Sequence, residues 1–166
     1  MTGQEVIIRY LEDAEAAERN FEDALLTFGT TGEQNEVKSW FQRASRKAKT
    51  QYERLEARLQ ALGGEPSKGK SILAHMLAFG PTLAQLGHEG AEKNTQHLIV
   101  TLGAAAAEMA MYESLAAVSA AAGDTETEQL ARQLQREEKQ DYDEVWTLLK
   151  PSAQATFETV MNRHAT

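Results

Sequence analysis

The chain has 166 residues, the size of a single domain, here taken as 1–166. Its 42% hydrophobic content can fill a core, and 25 acids against 17 bases give a net charge of −8, which disfavours a nucleic-acid surface. Lack of cysteine excludes disulfide scaffolds, thiol nucleophiles, iron–sulfur clusters and thiolate zinc sites. No run approaches ~18 uninterrupted apolar residues, so no membrane span is expected. Met1 to Glu5 lack the basic head and apolar run of a signal peptide, so the expected location is the cytoplasm.

Apolar residues recur at helical spacing. The first predicted helix, Gln4 to Phe28, carries Ile7, Leu11, Ala14, Phe21, Leu25 and Phe28 on one stripe, and Gly29 to Gly32 ends it. The second, Asn35 to Leu62, carries Val37, Phe41, Tyr52, Leu55, Leu59 and Leu62, and stops at Gly63-Gly64 with Pro66 beyond. A shorter helix is predicted over Ser71 to Leu86, interrupted by Gly80-Pro81. The alanine-rich fourth runs from Asn94 to Ala122 and closes at Gly123. The fifth starts after Asp124-Thr125 and ends before Pro151; a short amphipathic helix with Phe157, Val160 and Met161 follows. No segment alternates with period two, so the expected fold is all-α, an antiparallel helical bundle.

Three motifs have plain structural explanations. Gly64 to Ser71 matches the phosphate-loop pattern G-x-x-x-x-G-K-[ST], but an amphipathic helix precedes it where that chemistry needs a buried strand. Arg43, Arg46, Lys47 and Lys49 form a basic run without interleaved aromatics, which suits a solvated face. His75, His88, His97 and His164 show no metal-ligand spacing.

Carboxylates on apolar stripes carry more information. Glu18 fills the gap between Ala14 and Phe21. Glu108 lies on the line Thr101, Ala104, Met111, Leu115, Val118. Glu137 and Asp141 lie on the line Leu130, Leu134, Val145, Leu148, with Glu138 one step away. An unpaired buried carboxylate is costly, so acids at mid-stripe on three helices point to a metal, a cation or water inside the bundle. The bland explanation places them at the solvent boundary.

Tyr10 to Arg19, Gln51 to Leu55, Glu108 with Tyr112 to Leu115, Gly123, and Leu134 with Glu137 to Lys139 together resemble the YciF/YciE type of ferritin-like protein, a stress-associated bacterial family. The resemblance spans about Tyr10 to Leu149. It implies a ferritin-like four-helix bundle with a short extra helix between bundle helices 2 and 3, a di-iron-type centre and a homodimer. Aligned this way, the E-x-x-H ligand pair of the second bundle helix falls on Arg46 and Lys49, and a further ligand position falls on Ala105. Glu18, Glu108, Glu137 and Glu138 are kept.

The expectation is therefore a degenerate, non-catalytic member of that family, a stress-associated binding or structural module with no metal bound. In it Arg46 and Lys49 would reach inward to replace the metal's charge. The alternative is an iron or manganese carboxylate protein of the ferroxidase type, using a rearranged set from Glu18, Glu108, Glu137, Glu138 and Asp141. Surplus apolar residues, among them Trp40, Leu73, Met76, Leu77 and Phe79, suit a homodimer. The Ala104 to Ala107 run suits a close helix approach. No protein partner is indicated.

Overall fold

The computed structural model describes residues 1–66 and 90–165. Four helices carry the fold: α1 (Gly3–Phe28), α2 (Asn35–Ala61), α3 (Lys93–Ala122) and α4 (Thr125–His164), with one 3₁₀ turn at Gly90–Glu92 before α3. Among the described residues there is no strand. Local chemistry sets the helix ends. Thr2 and Glu5 exchange side-chain and backbone bonds in a capping box at the start of α1, and Asp124 accepts from the Thr127 N–H at the start of α4. At the end of α2, Gly63 takes φ +79°, and the Gly64 N–H reaches back to the Leu59 carbonyl. That closure requires a left-handed residue, which glycine supplies without a Cβ clash.

Each helix runs antiparallel to its neighbours. Phe28 of α1 stacks on His97 near the start of α3, while Ile7 shares a cluster with Leu115 near its end. Trp40 of α2 bonds Glu144 of α4, and Arg58 bonds Asp124. Two apolar clusters lie along the axis. One includes Phe21, Phe28, Phe41, Leu98 and Val145; the other includes Leu11, Leu55, Leu59, Leu115 and Leu134. By length and composition α3 would suffice to cross a membrane, yet much of it is buried in the bundle and it carries Glu108.

Three expectations change. No separate C-terminal helix follows Pro151, because α4 continues through it to His164. The ring removes the N–H that would bond the Thr147 carbonyl. Continuity is held from outside the helix: Ser152 and Thr156 meet the Thr95 hydroxyl, Gln34 bonds the Ser152 carbonyl, and Thr156 donates to the Ala91 carbonyl. Trp40, counted as surplus, is buried in the core. Arg46 and Lys49 do not reach inward; both are exposed, and the interior face of α2 is Ala44, Ser45, Ala48, Gln51 and Leu55. The extra helix expected over Ser71 to Leu86, with Leu73, Met76, Leu77 and Phe79, lies outside the described residues, as does most of the glycine-lysine string.

Candidate metal centre

Between the two apolar clusters lies a polar layer. Glu18 sits between Leu11 and Phe21 on α1, Glu108 between Ala104 and Tyr112 on α3, and Glu138 between Leu134 and Val145 on α4, each with cluster residues on both sides. The apolar stripes above and below fix the rotation of each helix, so the acids are carried inward with them. One oxygen from each of Glu18, Glu108 and Glu138 lies within 4.8 Å of the other two, and all three side chains are buried.

Few donors serve this triad. Tyr112 donates its hydroxyl hydrogen to Glu18 Oε1, and the Gln51 amide donates to Glu138 Oε1 at 2.8 Å. Glu18 Oε2, Glu138 Oε2 and both oxygens of Glu108 meet no N–H or O–H donor. Burial, followed by the facing carboxylates, pushes Glu18 and Glu108 well above the usual carboxylate range. Burial and the nearby Asp141 raise Glu138 to about 7. Burial and the same acids push the Tyr112 phenol up, so it stays a donor. Three like charges cannot share this space unaided, and the layer must take up protons or a cation.

The other predicted acids sit at the edge. Glu137 pairs with Arg54 at 2.9 Å, and Asp141 pairs with Lys47 at 2.8 Å. The structure thus brings together Glu18, Glu108 and Glu138 and leaves Glu137 and Asp141 at the α2–α4 seam. Ala105 is buried one turn before Glu108. Tyr112 and Gln51 join the layer without having been singled out as site residues. Tyr112 was detectable, since it follows Glu108 by four positions and so shares its face.

A dinuclear ferritin-like centre takes one Glu from each of two helices and a Glu-x-x-His pair from each of the other two. Here Glu18 and Glu108 are the single acids, and α4 offers Glu138-x-x-Asp141. On α2 the inward pair three apart is Ala48 and Gln51, which supplies no anionic ligand and turns an amide donor toward Glu138. This donor set does not fit two metals. It does fit one hard cation, because its orphaned donors are all carboxylate oxygens.

Antiparallel helices joined by one long crossover between α2 and α3, around a buried carboxylate layer, define a ferritin-like protein. The chain belongs to the family described as domain of unknown function DUF892, whose model matches residues 2–158. It is similar to the crystal structure of the E. coli stress protein YciF, with a TM-score of 0.82, 17% identity, and coverage of 93% of this chain and 98% of that one. A protein from Xanthomonas campestris pv. campestris gives 0.80 at 18% identity, covering 96% of this chain and 98% of that one. Desulfovibrio desulfuricans bacterioferritin, a diiron protein, gives 0.63 at 16%, covering 89% of this chain and 80% of that one. At these identities the likeness is one of fold. No curated protein matches the chain.

Proposed function

We propose that this protein is a degenerate ferritin-like module that holds a single divalent cation, manganese or iron(II), without ferroxidase turnover. The observation that carries this reading is the buried triad of Glu18, Glu108 and Glu138, with four carboxylate oxygens lacking any donor. Such a cation would neutralise the layer and tie α1, α3 and α4 together. Oxidation of a metal pair needs a second site, and Ala48 and Gln51 withhold its ligands. The experiment is metal analysis of the purified protein after Mn²⁺ or anaerobic Fe²⁺ loading, with Glu108→Gln as control. One equivalent in the wild type, lost in the variant, supports the reading; two tightly held equivalents, or none, overturn it. Absence of oxygen-dependent Fe²⁺ oxidation above background supports the non-catalytic part.

The likeness to the stress protein YciF supports a role in stress physiology inside the cell. The exposed Trp146, Phe157 and Met161 on α4 support a homodimer. Light scattering that gives a monomer mass at tens of micromolar, roughly the range where a stable dimer persists, would reject it.

A further inference from the structure

The seam between α2 and α4 is bridged by a row of polar side chains. Trp40 reaches Glu144 at 3.0 Å, Lys47 reaches Asp141 at 2.8 Å, and Arg54 reaches Glu137 at 2.9 Å. Beneath them lie the small side chains of Ala44 and Ala48 and the Gln51–Glu138 bond. A cavity of about 200 Å³ opens here, lined by Trp40, Arg43, Lys47, Asp141 and Glu144 among others. Asp141 stands three positions, one helical turn, beyond the triad's Glu138. The Lys47 ammonium fixes it there and also bonds the Glu137 carbonyl at 2.9 Å. Lys47 keeps 31% of its side-chain surface in solvent and Asp141 keeps 18%, so the pair can part without opening the core.

We propose that Lys47 is a displaceable plug over the triad: it holds Asp141 at the seam, and a divalent cation entering there gains Asp141 as a fourth ligand when Lys47 swings out to solvent. This rests on the single-cation reading. A positive charge next to a cation site opposes occupancy, and an Asp held by an ammonium is not free to ligate. Lys47 is thus a positioning residue, acting on the centre through Asp141. Neither Arg46 nor Lys49, its exposed neighbours, lines this cavity.

The test uses Mn²⁺ as probe, with calorimetric titration and the loss of the free-ion EPR signal as readouts. Lys47→Met is expected to bind Mn²⁺ about tenfold more tightly than wild type, and Asp141→Asn about tenfold more weakly. Lys47→Arg keeps the charge and is expected to restore wild-type binding. Thermal melts accompany each variant, and Asp141→Asn keeps the proposal testable if Lys47→Met does not fold. Affinities within about twofold of wild type for Lys47→Met or Asp141→Asn overturn the plug while leaving the centre standing. Failure of the wild type itself to bind Mn²⁺ overturns the underlying metal reading as well.

Discussion

Tyr112 on α3 donates its phenolic hydrogen to Glu18 on α1, across 94 positions of sequence and wholly within the core. This bond joins two helices in the polar layer between the two apolar clusters. It also favours the ionised form of Glu18 against the burial that opposes it. Tyr112→Phe leaves Glu18 without any donor and is expected to destabilise the fold by about 1–3 kcal/mol. Denaturant melts check this, and a loss below about 0.5 kcal/mol would show the bond to be idle.

Glu108 meets no amide or hydroxyl donor, faces Glu18 and Glu138, and when protonated can hydrogen-bond Glu138. Its folded-state pKa lies well above the unfolded value of 4.5. Its contribution to stability is therefore complete below pH 4.5 and is lost as pH rises toward the folded value. Glu108→Gln removes that loss, so metal-free Glu108→Gln is expected to be more stable than metal-free wild type at pH 8, by about 1–3 kcal/mol. Saturating Mn²⁺ reverses the order, because ligand at about 1,000 times its Kd adds about 4.1 kcal/mol to wild type only. Melts of both proteins in chelator and in Mn²⁺ decide the matter.

How much of this was legible depends on how each helix marks its inner face. On α1 and α3 the apolar stripe continues without a break on both sides of Glu18 and Glu108, from Leu11 and Ala14 to Phe21 and from Leu98 and Ala104 to Leu115, so the stripe itself located both acids. On α2 the interior between Phe41 and Leu55 is Ala44, Ser45, Ala48 and Gln51, residues that carry little hydrophobic signal. The rotational phase is lost there, and the ligand pair was placed on Arg46 and Lys49, two positions from the inward Ala48 and Gln51. On α4 the fully buried markers Ala131, Leu134 and Val145 are sparse, and the half-buried Leu130 and Leu148 shift the apparent stripe. Glu137 and Asp141 consequently looked more central than Glu138. Helix continuity through Pro151 depends on Thr95, Gln34 and Ala91, contacts invisible to local propensity.

Ala105 is buried one turn before Glu108, where a larger side chain has no solvent route. Ala105→Leu is expected to overpack this layer, at a cost of roughly 1–3 kcal/mol. The same variant is also expected to weaken Mn²⁺ binding by displacing Glu108. A variant that melts with the parent and binds Mn²⁺ unchanged would place Ala105 away from the site.

His97 tests the opposite end of the bundle and the opposite sign of pH dependence. Its ring stacks on Phe28 with centroids 4.0 Å apart, meets Phe41 edge-on, and lies beside the Thr31 hydroxyl. Burial, reinforced by Lys93, lowers its pKa from 6.5 to about 4. Above pH 6.5 the ring is neutral in both the folded and unfolded chain, so its environment favours folding in full. As pH falls from 6.5 to about 4 the unfolded chain takes up a proton that the folded chain refuses, and stability declines. The full shift would amount to about 3 kcal/mol; partial solvent access around the ring reduces the expected loss to about 1–2 kcal/mol. The raised carboxylates work against this decline, since they favour the folded state at low pH. Comparison with His97→Phe, which preserves the stack on Phe28, separates the two effects. Subtracting the variant's pH–stability curve from that of wild type should leave a single step between pH 4 and 6.5. A flat difference would mean that His97 titrates in the folded protein as it does in the unfolded chain.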